Sequence, residues 1–246
     1  MFTPEERGQL RAELLERARR DPTITAAALT GSAASGREDE WSDIDLAFAV
    51  TGDDALPEWT KYMYEQHAAI HHVDVHAGAW LYRVFLLANT LQVDLAFAPA
   101  AEFRALAPSF RLVFGTACEP RHAPEPSTEW LIGFGWWYAL HARSSIQRGK
   151  LWQAEYMVSG LRDQTLALAC VRHAVPAVHA KGIDDLPPAV VQPFEQTLAR
   201  ELTRPELARS FRAAVELFVR EIRLASPKLE APLAPALEEL ASIPSA

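Results

Sequence analysis

Two aspartates, Asp43 and Asp45, flank Ile44 at the start of an apolar run, Ile44–Val50. Side chains two residues apart leave a strand on the same face, so this pair sets two carboxylates roughly 6.6 Å apart along one strand surface. Such a pair can share or bracket divalent cations, and Mg²⁺ takes oxygen ligands of this kind together with a substrate's own phosphates. Upstream, the short apolar run Ile24–Thr30 closes on Gly31-Ser32. A glycine there lets backbone approach a ligand with no Cβ in the way. The Ser32 hydroxyl and backbone N–H can hold a phosphate oxygen if a helix begins at that corner. A third carboxylate is expected from a neighbouring strand, and Asp94 is the candidate, a lone acid in Gln92-Val93-Asp94-Leu95-Ala96-Phe97. An unpartnered acid in an apolar strand is costly; a metal or a proton-transfer role would justify it. Together these residues point to a phosphate-bearing ligand held on divalent metal.

The elements that must position them can be read from pattern. Thr3-Pro4-Glu5-Glu6 is a helix start, with Thr3 as cap, Pro4 in the first turn and Glu6 completing a capping box. Leu10, Leu14, Leu15 and Ala18 follow at helical spacing, and Asp21-Pro22 ends the run. Ile24–Thr30 and Ile44–Val50 read as buried strands. Leu56–Ile70 reads as a helix with Trp59, Tyr62, Met63 and Ala69 on its apolar side. His72–His76, Tyr82–Leu87 and Leu91–Phe97 read as strands, the last two joined as a hairpin through Ala88-Asn89-Thr90, without the favoured Asn-Gly pair. Residues 1 to about 115 are thus mixed α/β.

The character changes at Glu119–Pro126, where three prolines punctuate a polar segment suited to a linker. Thr128–Arg148, Leu151–His173, Pro188–Thr203 and Pro205–Leu224 then carry helical patterns, as in a helical bundle. The proline-marked tail after Ser226 leaves room for one short helix at Ala236–Ala241, with fraying beyond it through Pro244. The expectation is an α+β chain: a mixed sheet with helices over residues 1–118, then a helical bundle over residues 127–246.

A second polar cluster runs Arg148-Gly149-Lys150 to Glu155, then Arg162. In the functional reading Glu155 faces an acceptor as base or ammonium ligand, and Arg148 or Lys150 reaches phosphates. In the plain reading Glu155 pairs with Arg162, one helix face along, while Trp152 and Tyr156 sit in the core. His71, His72, Asp74 and His76 resemble a metal cluster, but no cysteine supports zinc and ligands usually come from separated segments; a solvated strand face is the better expectation, with Asp74 still able to line an acceptor cleft. Gly133, Trp136, Trp137 and Tyr138 read first as core packing on a helix and second as a stacking surface.

Composition narrows the class. The 246 residues are 49% apolar, ample for a core. The longest apolar stretch, Trp130–Leu140, is too short to span a bilayer, and no apolar signal core follows the N-terminus. Cys118 and Cys170 are the two cysteines, so no disulfide framework or CxxC site is expected. A cytoplasmic protein is the default. The net charge of −8 argues against a partner such as long nucleic acid and favours cationic small molecules.

Gly31-Ser32, the spacer, Asp43-x-Asp45 and the later Asp94 together resemble the polymerase-β-like nucleotidyltransferase superfamily. Within it the chain is most similar to the aminoglycoside and lincosamide nucleotidyltransferases, in which a helical domain follows the catalytic one. The resemblance covers the first half best. It implies a mixed catalytic sheet, two Mg²⁺ ions on Asp43, Asp45 and Asp94, and transfer of a nucleoside monophosphate from ATP or another NTP to the hydroxyl of a small acceptor. Asp43, Asp45, Asp94 and Glu155 are then the catalytic candidates. Gly31, Ser32, Arg37, Ser42, Arg148 and Lys150 are the nucleotide-binding candidates, and the second domain would complete the acceptor cleft. The alternatives are a protein-modifying or antitoxin-type nucleotidyltransferase and a non-catalytic nucleotide-binding module. The state of assembly, monomer or homodimer, stays open.

Overall fold

The computed structural model describes residues 1–52, 54–122 and 124–243. The architecture is α+β. The chain divides into two compact units, Met1–Ala123 and Pro124–Ala246. In the first, helix α1 (Pro4–Arg20) starts on a reciprocal cap: Thr3 Oγ1 accepts from the Glu6 N–H, and Glu6 Oε2 accepts from the Thr3 N–H. Strand β1 (Ile24–Thr30) runs into a single-turn helix α2 (Gly31–Ala34), and β2 (Ile44–Val50), α3 (Ala55–Gln66), β3 (Ala69–Ala77), β4 (Trp80–Leu87), β5 (Gln92–Pro99) and β6 (Phe110–Phe114) follow. The six strands form one sheet in the order β3-β4-β5-β2-β1-β6. β2 and β5 pair in parallel and every other pair is antiparallel.

Strand alternation gives this sheet two unlike faces. Leu29, Ile44, Leu46, Phe48, Phe85, Val93, Leu95 and Phe97 build one core cluster with Leu14 and Ala18 of α1 and Trp59 and Met63 of α3. The opposite face is floored by Ala26, Ala28, Ala47, Ala49, Ala96 and Ala98, packed with Trp80 and Phe103. Large side chains on the first face lock the helices down; the small ones on the second let Trp80 and Phe103 pack close against the strands.

Two expectations need correcting here. The helix expected through Ile70 ends at Gln66, because Ala68 adopts a left-handed φ of 52° and Ala69 and Ile70 belong to β3, where Ala69 registers with Leu87. Strand β6 was not anticipated at all; it is the edge strand beside β1, short and with none of its residues fully buried. The β4–β5 hairpin turns through Ala88-Asn89-Thr90 as expected, with Thr90 in the left-handed conformation that a glycine usually fills.

The second unit is helical among its described residues: α4 (Thr128–Gln147), α5 (Leu151–Arg172), α6 (Pro188–Val191), α7 (Arg204–Ala225) and α8 (Pro227–Ala241), with 3₁₀ turns at Val178–Ala180 and Gln192–Thr197. Ser127 and Thr203 cap α4 and α7 through their hydroxyls. The core gathers Ile132, Ala139, Ile146, Val158, Leu161, Phe211, Phe218 and Ile222, and Gly135 is required because Phe218 occupies the space a Cβ would take. The helix expected over 188–203 is instead α6 plus the 3₁₀ turn, ending at Thr197. The tail helix is longer than expected. Leu229, Leu233, Leu237 and Leu240 recur on one face and join the core, and that packing carries the helix through Pro232 and Pro235. The expected fraying at Pro244 lies outside the described residues. No described helix is long and apolar enough to cross a membrane.

Candidate active site

The parallel pairing of β2 with β5 puts Asp45 and Asp94 side by side in register. Asp43, just before β2, adds a third carboxylate. One oxygen from each acid lies within 4.8 Å of the other two, and all three residues are half-buried. Among the described residues this is the one grouping of three metal-ligating side chains close enough to hold an ion. It sits on the alanine face, because Asp45 and Asp94 each stand two residues before an alanine of that face, Ala47 and Ala96.

Gly31 closes the site on the β1 side. Its φ is +58°, and a Cβ there would fall 1.9 Å from Asp45 Oδ2. The glycine is thus doubly required, for its conformation and for the carboxylate pressed against it. Ser32 follows in α2, its carbonyl accepting from the Arg37 N–H at 3.0 Å. Arg37 is exposed and donates through Nε to Ser35 Oγ at 3.2 Å. The Ser42 hydroxyl is engaged in the loop itself, donating to Asp39 Oδ1 and accepting from the Asp39 N–H, both at 3.0 Å.

Sequence reading missed Gln92. Its side-chain amide donates to Asp43 Oδ2 at 3.2 Å and to Asp94 Oδ1 at 3.0 Å, tying two acids of the trio together. Asp94 still stands apart electrostatically. Burial pushes its carboxyl up to about 6; the Gln92 hydrogen bond opposes that shift, and the Asp43 charge adds to it.

The trio fits a divalent cation. Three carboxylates within ligand distance of one another repel unless a cation or proton offsets them, and burial, with the Asp43 charge adding to it, holds the Asp94 carboxyl above its usual range. Only a glycine at position 31 leaves room for the Asp45 carboxylate in its present place. All donors are hard oxygens, the set that Mg²⁺ takes.

The histidine strand takes no part. Val73 registers with Val84, and Val84 with Asp94, so His72, Asp74 and His76 leave the sheet on the face opposite the trio. Asp74 therefore does not line the acid site: Arg83 pairs with it at 2.6 Å, and Tyr64 hydrogen-bonds His72.

In the helical unit Glu155 is half-buried on α5 and accepts from Ser159 Oγ at 2.6 Å; Ser159 accepts in turn from Arg162 Nη2 at 2.7 Å. The direct Glu155–Arg162 pair of the plain reading is thus replaced by a relay through Ser159. Trp152 and Tyr156, expected in the core, are 79% and 64% exposed. Trp136 and Trp137 are also surface residues, so core packing was the wrong first reading for them. Arg148 and Lys150 are exposed at the α4–α5 turn.

No family model matches the sequence, and no curated protein matches it. Among solved structures the chain is similar to an aminoglycoside 6-adenyltransferase from Bacillus subtilis, at 13% identity and a TM-score of 0.45, with 99% of this chain and 100% of that one covered. At that level of likeness an activity does not transfer.

Proposed function

We propose that this chain is a nucleotidyltransferase that moves a nucleoside monophosphate from a metal-bound nucleoside triphosphate to the hydroxyl of a small acceptor, releasing pyrophosphate. The observation that carries this reading is the convergence of Asp43, Asp45 and Asp94 beside Gly31. Asp43 and Asp45 hold the ion that carries the triphosphate. Asp94 serves the acceptor side, as a ligand or as the base for the hydroxyl proton. A divalent cation held there would offset the negative charge of the triphosphate. Gly31 and Ser32 cradle the β- and γ-phosphates, and Arg37 stands near them in the chain as a further cation. Gln92 orients the acids. In the transfer the acceptor oxygen bonds to the α-phosphorus, the bond from that phosphorus to the bridging oxygen breaks, and pyrophosphate leaves with the electron pair. The acceptor proton passes to a carboxylate oxygen of Asp94 or to water. The acidic balance of the chain favours a cationic acceptor.

The test is pyrophosphate release with each NTP, Mg²⁺ and a panel of aminoglycosides, lincosamides and proteins. Release with a small acceptor, abolished by Asp45→Asn in a protein of unchanged circular dichroism, supports the reading. Release with proteins alone would favour the protein-modifying alternative. A fully active Asp45→Asn variant would refute the assignment.

A further inference from the structure

The nine residues between α2 and β2 form a loop that is unusually well fastened for an exposed connection. Arg7 of α1, only 5% exposed, donates through Nη1 to the carbonyls of Asp39 at 2.6 Å and Ser42 at 2.9 Å. Arg7 and Arg11 both pair with Glu38. Inside the loop, Asp39 Oδ1 accepts from the Trp41 N–H and from the Ser42 hydroxyl, each at 3.0 Å. The Arg37 N–H ties the loop's start to Ser32. Burying a guanidinium is expensive unless its hydrogen bonds are spent on something. Here they fix the two carbonyls on either side of Trp41.

Trp41 itself is 72% exposed. Single exposed apolar residues are ordinary; an exposed indole on a backbone pinned from beneath loses only its own side-chain rotamer freedom on binding, because the loop that carries it is already ordered. It stands two residues before Asp43, so the Cα atoms lie within about 7 Å of each other. Among the described residues of this unit the other large ring that is exposed, not merely half-buried, is Tyr64, and it hydrogen-bonds His72 on the far side of the sheet. The loop also carries Arg37 and begins at the Gly31-Ser32 corner, so phosphate-binding and ring-stacking groups share one short stretch.

We infer that Trp41 is a stacking platform for a heteroaromatic base, which makes it the residue that receives the base of the nucleotide. This rests on the nucleotidyl-transfer reading and adds to it where the base is held. Stacking on an aromatic side chain tolerates every base, because each has a π-face, so the platform gives affinity with little choice among ATP, GTP, CTP and UTP.

The experiment measures Mg·ATP and Mg·tripolyphosphate binding by calorimetry, without acceptor, for the wild type, Trp41→Ala and Trp41→Phe. Intrinsic fluorescence is followed in parallel. The expected result is that Trp41→Ala weakens Mg·ATP by about 10- to 100-fold and leaves tripolyphosphate within about twofold. Trp41→Phe should keep most of the ATP affinity, and the fluorescence quenched by ATP in the wild type should be lost in both variants. If Trp41→Ala binds ATP as the wild type does, or loses ATP and tripolyphosphate equally, the stacking role is wrong and the nucleotidyl-transfer reading stands. If the wild type binds neither ligand while Mn²⁺ still titrates onto it, both are wrong. The indole is on the surface, so the alanine variant is expected to fold, which circular dichroism checks.

Discussion

The same strands build two opposite things on their two faces. In β2, Ile44, Leu46 and Phe48 point to the helices and are fully buried, while Asp45, Ala47 and Ala49 point the other way. In β5, Val93, Leu95 and Phe97 alternate with Asp94, Ala96 and Ala98 in the same manner. The helix face concentrates the burial that holds the unit together. The alanine face gives up packing volume and places its carboxylates where a ligand can reach them. Stability and chemistry are therefore separable by side-chain parity along a single strand, and substitutions one or three residues apart should act on different quantities.

The strongest way to break that contrast is a pair of substitutions in β2. Phe48→Ala empties a site that is 0% exposed and packs on Trp59 with ring centroids 4.7 Å apart. It should cost about 3–5 kcal/mol in chemical denaturation. Asp45→Asn should change unfolding by about 1 kcal/mol or less, yet lower turnover by about a hundredfold or more if the acid carries the metal. A large stability loss in Asp45→Asn would show that the two faces are not independent.

A subtler probe is Gln92→Leu, which keeps the side-chain size and deletes the amide that joins Asp43 to Asp94. Groups that orient metal ligands are commonly worth 10–100-fold in affinity. Gln92 is exposed, so about a tenfold loss of Mn²⁺ affinity by calorimetry is expected. Unchanged affinity would mean the acids are aligned by the strands alone.

Much of the acid site is legible in the sequence. Asp43 and Asp45 stand at the start of a short, unbroken apolar run, and a strand is the one element that brings i and i+2 together. β1 and β2 run over the residues expected for the same reason. Asp94 stood out as a lone acid in an apolar strand. Gln92 did not, because a glutamine at a strand end is ordinary until β5 is known to lie parallel to β2. β6 was illegible because a five-residue edge strand carrying Arg111 has neither alternation nor length. Trp152, Tyr156 and the α4 tryptophans were misread for a different reason. Periodicity finds apolar faces but cannot tell which of two will be buried; α4 has one face in the core through Leu131, Ile132 and Ala139 and another, with Trp130, Phe134 and Trp137, at the surface. The histidine strand is the solvated face expected of it, but its sheet register, invisible in the sequence, sends Asp74 away from the acids.

The smallest effect expected is also the one whose sign is most diagnostic. The Asp94 carboxyl is raised to about 6 from its ordinary value of 3.8, chiefly by burial. Between those two values the folded protein holds a proton that the unfolded chain has lost. Stability in metal-free buffer should therefore fall as pH rises from about 4 to about 6 and stay lowered above it. Asp94 is partly solvated, so the loss should be about 1–2 kcal/mol, less than the full shift would give. Asp94→Asn removes the charge and should be more stable than the wild type at pH 7.5, with that segment of the pH profile flattened. Mn²⁺ should restore the wild type's stability at pH 7.5 by binding the folded state and should do much less for the variant. If Asp94→Asn is instead the less stable protein at pH 7.5 without metal, the carboxylate is held by favourable contacts, and the alanine face stabilises the unit as the helix face does.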